Sequence, residues 1–147
     1  MKKLLLLVTL LFPAVIFAAD YQIDIIAEEL NHPWSIDFLP EGGYLVAMKS
    51  GEVHLISANG EVSDPIAGGP DTYFESQGGY FDILLDPDYS TNQLVYLSYA
   101  GGSSEANATT IVKAMLSNNI FENTETIFTA SPTKATPAHY GLSLIHI

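Results

Sequence analysis

The feature that most constrains the fold of this chain is a strand–turn–strand pattern that occurs twice. The first copy occupies residues 34–48 and the second residues 81–99. Superposing Pro40 on Pro87 gives a repeat distance of 47 residues (87 − 40). A period of this length, with paired strands inside each unit, is typical of β-propeller blades. The repeat therefore predicts an all-β fold.

Strand and turn signals divide the chain into two predicted four-stranded antiparallel units. Apolar and β-branched runs alternate with glycine-containing hairpin turns, among them Asn59-Gly60. The first unit has predicted strands near residues 34–39, 43–48, 52–57 and 62–66, and the second near 81–85, 94–100, 109–116 and 124–129. The alternation from Tyr21 to Ala27 predicts another half-buried strand. No helix is predicted beyond residue 18.

These units make about two blades of a partial β-propeller. A propeller needs at least about four blades to cover the faces of its sheets and leave no open edge. We therefore expect this chain to be a fragment of a larger ring, or a part-propeller that forms oligomers.

Residues 1–18 have the features of a secretory signal peptide. Lys2 and Lys3 provide a positive start, residues 4–11 an apolar core, and Ala18 a small residue for cleavage. A transmembrane anchor is the alternative, but the apolar run over 4–19 is shorter than the roughly 20 residues a spanning helix needs. We expect an exported protein without a stable membrane anchor.

The charge balance excludes one class of partner. The chain has five cationic and 17 acidic residues, and removal of Lys2 and Lys3 would leave three lysines and a formal charge of −14 (3 − 17). A surface this acidic repels phosphate backbones, so nucleic-acid binding is not expected. The absence of cysteine excludes disulfides, a thiolate nucleophile and cysteine-based metal sites.

Three other motifs have structural interpretations. His32 precedes Pro33, which favours an extended backbone at a corner, and Trp34 is expected in the core. The segment Asp86-Pro87-Asp88 could suggest calcium, which prefers clustered carboxylates. It lacks the further alternating ligands of a calcium loop, so an aspartate-capped turn is the preferred interpretation and no metal ligand is assigned.

Three ordered motifs resemble those of the soluble aldose sugar dehydrogenases, which belong to the glucose/sorbosone dehydrogenase family. They are Leu30–Gly42, Gln77–Tyr89 and His139-Tyr140-Gly141. The resemblance covers about residues 22–141, the N-terminal third of such an enzyme. It implies a six-bladed propeller, exported to the periplasm, with pyrroloquinoline quinone (PQQ) and calcium in a central cleft. Members of this family oxidise the anomeric hydroxyl of aldoses to lactones, and an external acceptor takes the electrons.

The resemblance assigns roles to two residues. His139 matches the general base that takes the proton of the anomeric hydroxyl, and a neutral imidazole suits that task at physiological pH. Gln77 matches a position at the sugar site, where an amide can both donate and accept hydrogen bonds. Taken alone, these two residues would be interpreted as a solvated loop histidine and a turn glutamine. The family's PQQ and calcium contacts lie in later blades, so no cofactor-binding residue is assigned.

The chain also departs from the family pattern. Met48-Lys49 stands where the family commonly has a Glu-Arg pair, and Leu142-Ser143-Leu144 replaces a glycine, an arginine and a further strand. We therefore expect residues 19–141 to be the N-terminal part of the propeller and residues 142–147 to be a truncated or artefactual end.

The fragment alone is expected to be inactive. PQQ is a tricarboxylate that needs several cationic or amide donors, and three lysines without arginine are too few. A non-catalytic exported propeller that binds carbohydrate or a protein partner remains the alternative, because fold does not fix function. A hydrolytic propeller such as a lactonase is a weaker third interpretation.

Overall fold

A computed structural model describes residues 21–141 and 143–144 of the chain, and these residues form seven strands and one helical turn. The first group of strands is β1 (Pro33–Phe38), β2 (Tyr44–Met48) and β3 (Val53–Ile56). The second group is β4 (Tyr80–Leu85), β5 (Leu94–Gly102), β6 (Asn107–Ser117) and β7 (Ile120–Thr129), with the helical turn α1 (Tyr89–Asn92) between β4 and β5. The proposed signal peptide lies outside the described residues.

The strands form two antiparallel sheets, ordered β1-β2-β3 and β4-β5-β6-β7. The predicted all-β partial propeller is therefore confirmed. The second blade has its four predicted strands. In the first blade the strand predicted near 62–66 is reduced to one bridge between Ile56 and Val62. Pro65 follows shortly after this bridge and has no N–H to donate to a ladder.

Three local expectations are wrong for the described residues. Residues 21–27 form no strand, and Tyr21 and Ile23 are among the most exposed apolar side chains. Trp34 is 48% exposed rather than in the core, because it lies on the outer face of the first sheet, which the described residues leave partly uncovered. His32 adopts a positive φ of 57° instead of an extended backbone.

No helix among the described residues is long and apolar enough to cross a membrane.

The main core lies between the two sheets. Side chains from β2 and β3 form one buried cluster with side chains from the second sheet, and alternation along each strand places the members of a strand on one face. The buried members include Leu45, Ala47, Val53, Val95, Leu97, Val112 and Ala114. The innermost strands β1 and β4 lie side by side, and Leu85 N–H donates to Asp37 Oδ2 at 2.7 Å. This packing fixes the first blade against the second.

The Asp86-Pro87-Asp88 segment is an aspartate-capped turn, as preferred. Asp86 Oδ1 accepts hydrogen bonds from Asn92 Nδ2 and Asp88 N, both at 2.9 Å, and its Oδ2 accepts from Tyr96 Oη at 2.8 Å. The bonds from Asn92, Asp88 and Tyr96 hold the pKa of this carboxyl below its usual range. The described residues contain no group of three side chains suited to a metal ion.

Candidate functional site

Several loops converge at one end of the two blades. In an antiparallel sheet, the start of β4, the end of β5 and the start of β6 lie at the same end of the sheet. The loop before β4 carries Gln77. The segment after β7 returns to this end, where Lys134 forms a β-bridge with Asn107. His139 follows a few residues later. Both residues assigned from the family resemblance therefore lie at this end of the blades.

Gln77 and His139 are hydrogen-bonded although 62 positions separate them. Gln77 Oε1 accepts a hydrogen bond from the backbone N–H of His139 at 2.8 Å. The backbone N–H of Gln77 donates to Pro137 O at 3.0 Å. Both side chains are exposed, so a ligand can reach them. The structure thus brings together the two residues that the sequence proposes, and one of them holds the backbone of the other.

The Gln77 loop is held by contacts with the end of the first blade. Lys49 Nζ donates to Ser76 O at 2.7 Å, and the Lys49 carbonyl accepts from Tyr80 N at 3.1 Å. Gly79 lies between these two contacts with φ 134°, and a Cβ there would overlap the Lys49 carbonyl oxygen. Only glycine fits this position without strain.

Lys49 also contacts the corner that precedes β1. Its ammonium lies 4.9 Å from the ring centroid of Trp34, within the range of a cation–π interaction. Its backbone N–H donates to His32 O at 3.0 Å. The His32 ring meets the edge of Phe74 at a centroid distance of 6.3 Å. His32 therefore has contacts suited to ordering the corner, although its backbone is not extended.

The loop that carries His139 is anchored by the next residue, Tyr140. Tyr140 is 8% exposed, and its ring packs on Phe81 with the centroids 4.9 Å apart. Burial raises the pKa of the Tyr140 phenol above its ordinary value of 10.0, so this group stays protonated at neutral pH. Its hydroxyl donates to Asn107 Oδ1 at 2.6 Å. Sequence reasoning assigned nothing to Tyr140 or Asn107.

Each of the three lysines among the described residues already has a partner within the chain. Lys113 forms an ion pair with Glu125 at 2.9 Å, and Lys49 is bound to the Ser76 carbonyl. Lys134 lies over the Tyr140 ring at 3.4 Å. The chain contains no arginine. A tricarboxylate such as PQQ needs several convergent cationic donors, so the described residues do not fit this group on their own.

Comparison with known proteins gives a consistent result. The family model described as Glucose / Sorbosone dehydrogenase matches residues 30–146. The aldose sugar dehydrogenase YliI of Escherichia coli (strain K12) is 31% identical over 131 residues, which cover 86% of this chain and 35% of that protein. The chain therefore spans about a third of the length of this relative.

Solved structures agree with that match. The soluble aldose sugar dehydrogenase from Escherichia coli in its apo form superposes with a TM-score of 0.79 and 30% identity, over 84% of this chain and 37% of that one. The PQQ-bound aldose sugar dehydrogenase from Streptomyces coelicolor gives a TM-score of 0.65 and 25% identity, over 75% and 34%.

Two adjacent antiparallel blades, with loops converging at one end, define the chain as part of a β-propeller. The family model that matches residues 30–146 identifies one family within the β-propeller class. The chain belongs to the glucose/sorbosone dehydrogenase family.

Proposed function

We propose that this chain forms the part of a PQQ-dependent aldose dehydrogenase that carries its general base and one sugar-binding amide. The observation that carries the proposal is the 2.8 Å hydrogen bond from His139 N to Gln77 Oε1. It joins the two residues that the family resemblance assigns to proton transfer and to sugar binding. The names of the aligned relatives, aldose sugar dehydrogenases, support the same substrate class.

His139 is the proton acceptor in this proposal. Oxidation of an aldose to a lactone removes a proton from the anomeric hydroxyl and a hydride from the anomeric carbon. The exposed imidazole of His139 takes the proton, as a histidine within hydrogen-bond reach of the hydroxyl can. PQQ, when bound by the complete ring, would supply the two-electron acceptor, and an external acceptor would take the electrons from it.

Gln77 has a divided role. Its Oε1 is already used by the His139 backbone, so its Nε2 is the part that remains to donate to a sugar hydroxyl. One side chain thus orients the substrate and holds the backbone of the base. This coupling fixes the distance between the sugar hydroxyl and the imidazole, which proton transfer requires.

In this proposal, other parts of the propeller bind the cofactor. The lysines of the described residues are engaged with Ser76, Glu125 and Tyr140. The carboxylates of PQQ, and calcium, would therefore be held by later blades. Residues 19–147 alone would be inactive. We further propose that the protein is exported to the periplasm after cleavage of residues 1–18.

The test uses the complete gene product that contains these residues, supplied with PQQ and calcium. We expect glucose-dependent reduction of an electron-accepting dye. His139→Gln should lower kcat by about 10²- to 10⁴-fold. His54→Gln is the matched control. His54 lies in β3 of the first blade, where its ring binds the Ser63 carbonyl at 2.8 Å, and the proposal gives it no role in proton transfer. Equal activity of His139→Gln and wild type would overturn the assignment of the base.

The engagement of the three lysines among the described residues also supports a second candidate function, that of a propeller that binds carbohydrate without oxidising it. Calorimetric titration of the complete gene product with glucose separates the two. Heat of binding without dye reduction, in the presence of PQQ and calcium, would favour the non-catalytic function. Dye reduction at a rate that saturates with glucose would exclude it.

A further inference from the structure

A fully buried amide lies beneath the loop that carries His139. Asn107, the first residue of β6, has no exposed surface. Its backbone pairs with Lys134 in both directions, with N–H···O distances of 2.8 Å and 2.9 Å. Its side-chain Nδ2 donates to Ser103 O at 3.1 Å. These bonds fix the orientation of the amide before any contact with the His139 loop is considered.

The carbonyl oxygen of this amide is the anchor point of the loop. Asn107 Oδ1 accepts from Tyr140 Oη at 2.6 Å and from Lys134 Nζ at 3.4 Å. The Tyr140 ring contacts both the Phe81 ring and the Lys134 ammonium. Both side-chain polar atoms of Asn107 therefore have a partner, and hydrogen bonds in a buried network favour a single orientation of the amide.

His139 needs such an anchor because its backbone conformation is unfavourable. Its φ of 65° lies in the left-handed region, which non-glycine residues rarely adopt and which surrounding contacts must maintain. Gln77 Oε1 holds the N–H of His139 on one side. On the other side the chain continues directly into Tyr140, which is tied to Asn107.

We propose that Asn107 is a positioning residue for His139, acting through the hydroxyl of Tyr140; this inference rests on the proposed function. Loss of the Tyr140–Asn107 bond would free the loop on one side of His139 and let the imidazole move away from the sugar hydroxyl. Misplacement by about 1 Å can cost on the order of 100-fold in rate. Sugar binding would change less, because the Gln77 loop is also held from the first blade by Lys49, which donates to Ser76 O at 2.7 Å.

The main variant is Tyr140→Phe in the complete gene product, loaded with PQQ and calcium. It removes the hydroxyl and keeps the ring on Phe81. We expect kcat to fall about tenfold and KM for glucose to stay within about twofold, since positioning acts on the reacting geometry. Tyr96→Phe is the matched control: it removes a tyrosine hydroxyl that donates to Asp86 at 2.8 Å, at the other end of the same sheet. It should leave kcat and KM unchanged.

A second pair of variants tests Asn107 itself. Asn107→Asp keeps an oxygen acceptor for Tyr140 and Lys134, whereas Asn107→Leu has a similar size and offers none. We expect Asn107→Asp to retain at least several times the kcat of Asn107→Leu. If Asn107→Leu does not fold, Tyr140→Phe decides the question by itself, because its ring packing is intact. Equal kcat values for the two folded Asn107 variants would overturn the proposal.

Hydrogen exchange of a peptide covering residues 134–141 provides a readout independent of activity. Tyr140→Phe should speed exchange in this peptide at least severalfold, and Tyr96→Phe should not. The positioning role would be overturned if this peptide exchanged at the wild-type rate in Tyr140→Phe. It would also be overturned if Tyr140→Phe and Tyr96→Phe lowered kcat equally. A wild-type protein inactive with PQQ would instead contradict the proposed function, and the exchange comparison would still show whether Tyr140 anchors the loop.

Discussion

Ser35 and Asp82 are 47 positions apart, and the Ser35 hydroxyl donates a hydrogen bond to the Asp82 carboxylate. This separation equals the repeat distance, so the two residues occupy equivalent positions in β1 and β4. Ser35 Oγ also accepts a hydrogen bond from Ile83 N at 3.2 Å. Strands β1 and β4 are thus joined by one bond between equivalent positions of the repeat and by a second bond one position further along β4.

Ser35→Ala should destabilise the junction between the blades. The change leaves the Ile83 N–H and one Asp82 oxygen without this partner, and such a loss in a partly buried site costs about 1–2 kcal/mol. Urea unfolding of the complete gene product measures the change. Ser90→Ala, on the exposed side of α1, should stay within about 0.5 kcal/mol. Similar midpoints for Ser35→Ala and wild type would contradict a stabilising role of this hydroxyl.

Gly79→Ala should disturb both stability and the Gln77 loop. A side chain at φ 134° is strained, and its Cβ would overlap the Lys49 carbonyl oxygen. We expect a loss of about 3 kcal/mol in the free energy of unfolding. Gly141→Ala is the control, because a Cβ at Gly141 meets nothing within 4 Å. An equal effect of the two substitutions, measured by thermal unfolding, would show that Gly79 is not required by its backbone conformation.

Asp86 should make stability depend on pH in the acidic range. Its pKa in the folded chain is lowered below 3.8, first by the Asn92 hydrogen bond and then by those from Asp88 and Tyr96. A carboxyl group whose pKa is lower in the folded than in the unfolded state stabilises the fold at pH values above its unfolded-state pKa. This stabilisation is lost as the pH falls through the folded-state pKa. The difference in unfolding free energy between wild type and Asp86→Asn should therefore be constant near neutrality and shrink below pH 3.8. If the two curves of unfolding free energy against pH stayed parallel down to pH 2, this contribution of Asp86 would be contradicted.

The fold could be predicted from the sequence wherever a strand finds its partner nearby. The strands β4 to β7 follow one another through short connections, and each pairs with the next, so local alternation and turn signals were sufficient. The segment 21–27 shows the same alternation, but among the described residues no neighbouring strand pairs with it. Alternation indicates a capacity to form a strand, and the pairing depends on the rest of the structure.

The candidate site was predictable only in part, for the same reason. His139 and Gln77 were proposed through family motifs, whereas their mutual hydrogen bond joins loops that the folded blades bring together. Asn107 gave no signal of this role, because nothing in the neighbouring sequence indicates which side chains it meets in the folded chain. Its importance arises from complete burial and from the partners it meets there.

The divided role of Gln77 can be tested with two substitutions. Gln77→Glu keeps an oxygen that can accept from His139 N and loses the Nε2 donor, whereas Gln77→Ala loses both. In the complete gene product we expect Gln77→Glu to raise KM for glucose by up to about tenfold, since a lost hydrogen bond to substrate costs about 0.5–1.5 kcal/mol, with a smaller change in kcat. Gln77→Ala should raise KM similarly and also lower kcat, because the His139 backbone loses its support. Steady-state kinetics with PQQ and calcium measure both. If the two variants share one kcat, the hydrogen bond from His139 to Gln77 does not contribute to the chemical step.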